Sequence, residues 1–192
     1  MTLAERSRSV VETTIATLRD EYGRFDVLGE TEERSRTGFG RKREQLAHRG
    51  IGTASVFVLN EDDQVLMTRL PTAPAVWSIP DGTLEAAERP AAAAVRAVRE
   101  TTGVTCSIED LFQVRRIRTT LIDRPNAPTL HDLQIYFEGT HEGGIPRLRG
   151  DVRAVRWQSS PPSAVETTIR SRVDDWAQGV RRSPPESTSA GT

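Results

Sequence analysis

Between Gly82 and Val104 the chain is punctuated in a way that leaves few local structures open. Pro90 suits the first turn of a helix, where its missing N–H is no loss, and Gly103 suits the left-handed position just past a helix end. The spacing predicts a helix over Pro90–Thr102, entered through a loop that starts near Gly82. At about 100° per residue, Ala91, Val95, Val98 and Thr102 fall on one side, which is expected to be core. Ala93, Ala97, Glu100 and Thr101 fall within the opposite arc. Carboxylates three or four apart on such an arc would converge on one point above the helix. Only Glu100 supplies one here.

Written out, the segment is Gly82, five residues, Glu88, seven residues, then Arg96-Ala97-Val98-Arg99-Glu100-Thr101-Thr102-Gly103-Val104. It resembles the Nudix box, whose pattern is Gly, five residues, Glu, seven residues, Arg-Glu-apolar-any-Glu-Glu-any-Gly-apolar. Gly82, Glu88, Arg96, Val98, Glu100, Gly103 and Val104 match, whereas Ala97 and Thr101 stand where the pattern has acids. The flanks agree with the resemblance. Trp77-Ser78-Ile79-Pro80-Asp81-Gly82 is similar to the family's Trp-x-x-Pro-Gly-Gly entry, with Asp81 in place of a glycine, and Asp151 to Trp157 is similar to its late acid-x-x-x-apolar-x-Trp strand.

The resemblance implies the Nudix fold, an α/β (α+β) arrangement with a mixed β-sheet sandwiched between helices, here with an N-terminal helical extension. It also implies hydrolysis of the pyrophosphate bond of a nucleoside diphosphate linked to another group, with Mg²⁺ or Mn²⁺ neutralising the diphosphate and lowering the pKa of attacking water. Carried over position by position, the Gly82 carbonyl and Glu100 are metal ligands, Arg96 orients the carboxylate cluster and Glu88 steadies the loop. Glu88, Arg96 and Glu100 form the expected catalytic set. Asp81 and Glu85 are the nearest acids able to replace the missing ligands, Asp81 foremost because it adjoins the Gly82 carbonyl. Glu138, Glu142 and Asp151 lie further off. Each of these acids, taken singly, reads first as a surface charge.

Arg115, Arg116 and Arg118 form a basic run on a strand. The last two share a face and are expected to reach substrate phosphates, which arginine grips bidentately; solvent-facing positions are the alternative. His131 reads as an ordinary strand residue.

The two missing acids set the scale of the functional question. One carboxylate about 4 Å from a unit positive charge contributes on the order of 4 kcal/mol at an effective dielectric of about 20. Protein-only metal binding is therefore expected to be weak, although Mg²⁺ commonly binds through one or two carboxylates plus substrate phosphates. Three readings follow: a metal-dependent hydrolase with a reduced acid set, a Nudix-fold module that binds a nucleotide or ADP-ribose-like ligand without turnover, and an interaction protein that uses its basic N-terminal segment on RNA.

Composition narrows the setting. The chain has 192 residues, 28% of them charged, a formal net charge of −1 and one cysteine. No stretch approaches the ~18 apolar residues of a membrane span, and the start of the chain is a charged amphipathic pattern rather than a signal sequence. A cytoplasmic protein with no membrane partner is expected, acting on a small nucleotide, and a homodimer is compatible with this composition. Cys106 is expected to be a small buried residue.

Along the chain, Leu3, Val10, Val11, Ile15, Leu18 and Tyr22 recur at helical spacing and predict an opening helix that ends near Gly23. The arginines and Lys42 between Arg34 and Arg49 suggest a solvated charged linker rather than a nucleic-acid surface, with Gly38 and Gly40 interrupting any helix. Residues 53–59 and 64–70 read as a hairpin, 111–122 and 130–138 as a strand pair joined by a loop with Pro125 and Pro128. A closing helix is expected over 162–178. The division expected is an extension over 1–50, the Nudix domain over 51–180 and a disordered tail over 181–192.

Overall fold

The computed structural model describes residues 1–85, 87–124 and 126–180. In chain order the elements are α1 (Leu3–Tyr22), β1 (Val27–Arg34), α2 (Arg36–His48), β2 (Thr53–Leu59), β3 (Val65–Arg69), β4 (Asp81–Thr83), α3 (Pro90–Thr102), β5 (Thr105–Leu121), β6 (Leu130–Gly143), β7 (Ala154–Gln158) and α4 (Arg170–Ala177). A single 3-10 turn, Thr167–Ile169, precedes α4.

The strands form one seven-stranded mixed sheet in the order β1-β5-β6-β2-β3-β7, with β4 pairing β2 off this path. β1 runs parallel to β5 and β2 parallel to β6, while the β5–β6, β2–β3, β2–β4 and β3–β7 pairs are antiparallel. Because strand side chains alternate between faces, the sheet carries two cores. On one, Val11, Ile15 and Leu18 of α1, Leu46 of α2 and Ala93, Ala94 and Val98 of α3 cover Val56, Leu133, Ile135 and Phe137. On the other, Ile169 and Val173 cover Phe57, Met67, Trp77, Phe112 and Tyr136. This is the helix–sheet–helix sandwich expected of the sequence.

α1 begins with a capping box in which Thr2 and Glu5 satisfy each other's backbone N–H groups, and it ends at Gly23 with φ 73°. α3 keeps the predicted bounds, with Pro90 in its first turn and Gly103 in the left-handed conformation at φ 76°. Cys106 is buried, and desolvation pushes its thiol up to about 11.

Several expectations are corrected. Gly38 and Gly40 do not interrupt a helix: α2 runs through both, because Ser35 Oγ accepts from the Gly38 N–H at 3.3 Å and the glycines occupy the first turns. Nor is this stretch a solvated linker. Lys42 forms an ion pair with buried Asp132 of β6, which fastens α2 to the sheet, and β1 is a strand that the sequence reading lacks. The strand pair is longer than 111–122 and 130–138, since register shifts near Ile108 and Leu111 carry the β5–β6 ladder onward to Thr105 and Gly143. The closing helix is shorter. Val165 instead bridges Trp77, whose N–H donates to the Ala164 carbonyl at 2.9 Å, so the chain is held extended until Glu166. The expected tail over 181–192 lies outside the described residues. Among the described residues no helix is long and apolar enough to cross a membrane.

Candidate functional site

β4 and α3 hold the candidate site between them, and a missing Cβ allows their contact. A Cβ built on Gly82 would stand 2.6 Å from the Ala97 Cβ, far inside van der Waals contact, so this position requires glycine while residue 97 packs against it. Ala97 is only 2% exposed. The expected facing of α3 is corrected accordingly. Its buried set is Ala93, Ala94, Ala97, Val98 and Thr102, with Ala91 and Val95 half-buried, because a helix of small residues seats itself against β4 as well as β2. Thr101 Oγ1 donates to the Ala97 carbonyl at 2.7 Å, spending the hydroxyl inside the helix.

Arg96 is the hub of the loop–helix unit. Its Nε and Nη2 donate to the two carboxylate oxygens of Glu88 at 2.8 and 2.7 Å, a bidentate fork. Nη2 also donates to the Thr83 carbonyl at 2.9 Å, and Nη1 to Glu100 Oε2 at 3.1 Å. Glu88 in turn accepts from the Glu85 N–H at 3.1 Å. Hydrogen bonds from Arg96 hold the Glu88 carboxyl below the usual carboxylate range, and the bond from Glu88 raises the guanidinium further above its ordinary value. Glu88 is thus a structural clasp with both oxygens engaged. Glu100, its side chain 60% exposed, uses only Oε2 on Arg96.

A cleft of about 1070 Å³ opens beside this unit. One wall is Asp81 to Leu84 with Arg96, Ala97, Glu100 and Thr101. The facing wall is the outer side of α1 at Arg6, Val10 and Thr13, with the end of α2. Its size suits a nucleotide-sized molecule, since small-molecule pockets span roughly 300–1,000 Å³.

The other expected ligands sit apart in character. Glu85 is 71% exposed and lies 3.9 Å from Arg96. Asp81 is exposed at the cleft rim, yet protein crowds its carboxyl, and desolvation reinforced by the charge of Glu166 pushes it up to about 6. Glu166 is a site neighbour that the sequence reading lacks. It accepts from the hydroxyls of Ser78 and Thr168, and only the bridge of Trp77 to Val165 brings it across the sheet. Glu138 is engaged in a buried ion pair with Arg172, and Glu142 accepts from Ser107.

Among the described residues no three of His, Cys, Asp and Glu are placed to hold a metal ion together. With Glu88 tied to Arg96 and Glu100 alone on the helix, the donor set does not make a protein-only site for Mg²⁺ or Mn²⁺.

Arg115, Arg116 and Arg118 do not line the cleft. Arg115 ion-pairs with Glu30 of β1 and reaches Gln134 at 3.4 Å on the sheet face of Tyr136. Arg116 and Arg118 lie on the α1 side, at Glu12 and Thr31, beside His131.

The NUDIX domain family matches residues 50–169, more than half of the chain. Among solved structures the chain is similar to a NUDIX hydrolase from Nitrosomonas europaea, at 17% identity over 67% of this chain and 70% of that one, with a TM-score of 0.51. It is similar to a MutT protein from Methanosarcina mazei Go1, at 16% identity over 69% and 96%, TM-score 0.51. A UDP-X diphosphatase aligns over 90% of this chain and 81% of its own at 13% identity, TM-score 0.50. Likeness at these identities is likeness of fold. No curated protein matches the sequence.

Proposed function

The chain belongs to the Nudix family, and on that premise we propose that it is a slow hydrolase of the pyrophosphate bond in a nucleoside diphosphate linked to another group, acting in the cleft beside Glu100. The observation that carries this reading is the Arg96 hub. One guanidinium fixes Glu88, the Thr83 carbonyl and Glu100 in a single cluster, and it leaves the second Glu100 oxygen without a hydrogen bond among the described residues. Arg96 orients, Glu88 clamps the loop, and Glu100 meets the ligand.

Family members use divalent ions, and Mg²⁺ or Mn²⁺ is the cofactor expected here. The missing acids make its binding without nucleotide weak, and loss of a positioned general base typically costs roughly 10²- to 10⁴-fold in rate. Slow turnover follows.

Ala97 and Thr101 favour a second reading, a nucleotide or ADP-ribose-like binding module without turnover. Ala97 is packed under Gly82 and the Thr101 hydroxyl is bonded to the helix, so neither offers the ligand a polar group. One experiment separates the two. Hydrolysis is measured across a panel of nucleoside diphosphate derivatives with Mg²⁺ and with Mn²⁺, beside calorimetric binding of the same compounds. Turnover that disappears in Glu100→Gln supports the hydrolase. Binding with no turnover on any compound supports the module, and neither binding nor turnover rules out both.

A further inference from the structure

On the α1 side of the sheet, a hollow of about 400 Å³ is lined by Arg8, Glu12, Gly29, Arg116, Arg118 and His131. It shares no lining residue with the cleft at Glu100. We propose that this hollow is a binding site for a small phosphate-type dianion, either free or carried as the phosphomonoester of a small molecule.

Charge is the first ground. Three guanidiniums face one carboxylate. Glu12 meets Arg116 at 3.5 Å, the long limit of a hydrogen bond, and is itself 57% exposed. Arg118 donates to the neutral hydroxyl of Thr31 at 3.0 Å, and Arg8 makes no ion pair among the described residues.

The second ground is unmet hydrogen bonding. His131 is 4% exposed, and its Nδ1 is buried without a partner; so is Arg116 Nε. A buried polar nitrogen left unpaired costs about 1–3 kcal/mol, and two of them belong to residues that line this one hollow. A tetrahedral dianion brings acceptors to every guanidinium and to the imidazole at once, in the charge-assisted geometry that arginine favours. Position is fixed by the fold: the His131 backbone N–H donates to Ser7 Oγ of α1 at 3.1 Å, and residues 116 and 118 of β5 pair with 133 and 131 of β6.

A proton is linked to this binding. Burial, then Arg116, Arg8 and Arg118, hold the His131 imidazole below its usual pKa, with Glu12 opposing. An anion among these groups reverses the field and favours imidazolium, so binding takes up a proton and tightens as pH falls. Sulfate tests this cleanly because, unlike phosphate, it keeps one charge state between about pH 5.5 and about pH 7.5.

The full-length chain is titrated with sulfate, inorganic phosphate and a phosphomonoester at constant ionic strength, followed by calorimetry and by the His131 imidazole NMR signals. Saturable one-site binding is expected, weakened at least about tenfold in Arg118→Gln and in Arg116→Gln, as for loss of a charge-assisted contact. Sulfate binding should tighten towards low pH and survive Glu100→Gln unchanged. Phosphate and monoester binding alike establish the free-anion site, and monoester binding alone assigns it to the organic phosphate. Linear, unsaturable shifts that are the same in wild type and in Arg118→Gln would overturn the proposal. So would salt-sensitive binding of an RNA oligonucleotide with none of the small anions. His131→Asn serves as a further variant where it folds; Arg118, exposed at the mouth, carries the test regardless.

Discussion

Arg96 and the arginines around His131 handle positive charge in opposite ways. At Arg96 one guanidinium meets Glu85, Glu88 and Glu100, and it forms hydrogen bonds with two of these acids and a carbonyl. At the hollow three guanidiniums meet one acid, and two buried nitrogens have no partner. Each nitrogen of the Arg96 guanidinium has an acceptor, so Arg96 itself is scaffold: its removal should be felt by the fold before it is felt by a ligand. The second arrangement is incomplete and therefore receptive. The same residue type serves as scaffold or receptor according to the acceptors that the fold places around it.

The sharpest way to break this contrast is Arg96→Met. It strips the Glu88 carboxylate of its counter-charge, leaving it only the Glu85 N–H, and leaves the Thr83 carbonyl without the guanidinium donor, for an expected loss of about 3 kcal/mol in chemical denaturation. A loss under about 0.5 kcal/mol, the range of an ordinary surface substitution, would show the clasp to be decorative. Gly82→Ala comes next. Forcing a methyl against Ala97 should cost about 2 kcal/mol as overpacking, and Gly82→Ala with Ala97→Gly should recover about half of it, because glycine inside α3 itself costs about 1 kcal/mol; no recovery would place the conflict elsewhere.

A smaller effect is expected at Asp81. Its folded carboxyl lies above the unfolded value, so the folded state binds the proton more tightly and the charged form works against folding at neutral pH. That destabilisation is relieved as pH falls through about 6. Asp81→Asn should therefore raise the melting temperature at about pH 7.5 and much less at about pH 4.5. An equal gain at both would mean that neither desolvation nor the charge of Glu166 opposes the Asp81 carboxylate. Last, Arg118→Gln should change stability by no more than about 0.5 kcal/mol, because the arginine only crowds like charge and contacts one hydroxyl. A marked loss would make the hollow structural after all.

Local chemistry accounts for what the sequence made readable. Pro90 and Gly103 dictate backbone geometry at their own positions, so α3 has the expected ends, and the apolar run 53–59 is buried in the middle of the sheet. β1 reads Val-Leu-Gly-Glu-Thr-Glu-Glu-Arg, a half-exposed outermost strand with no apolar alternation, and only the partner strand β5 makes it a strand. The rotation of α3 was likewise invisible. Alanines carry little directional signal, and the close approach of Gly82 decides which of them are buried. In the site, the resemblance along one segment singled out Glu88, Arg96 and Glu100, whereas the bidentate clasp of Arg96 on Glu88 came only with the fold. The placing of Glu166 where its charge is felt at Asp81 and the gathering of Arg8, Arg116, Arg118 and His131 depend on long-range register, which no single stretch of sequence carries.

The parallel pairing of β1 with β5 has a practical consequence for anyone trimming the chain. Val27 to Arg34 cover Val114 to Leu121 residue by residue. The family match begins at residue 50, so a chain cut there would leave β5 with a long row of unpaired N–H and C=O groups. Such an edge is a template for strands of other molecules. A fragment limited to the matched region is expected to associate edge to edge and come out of solution, and the first fifty residues act, among their other roles, as the sheet's own solubility device.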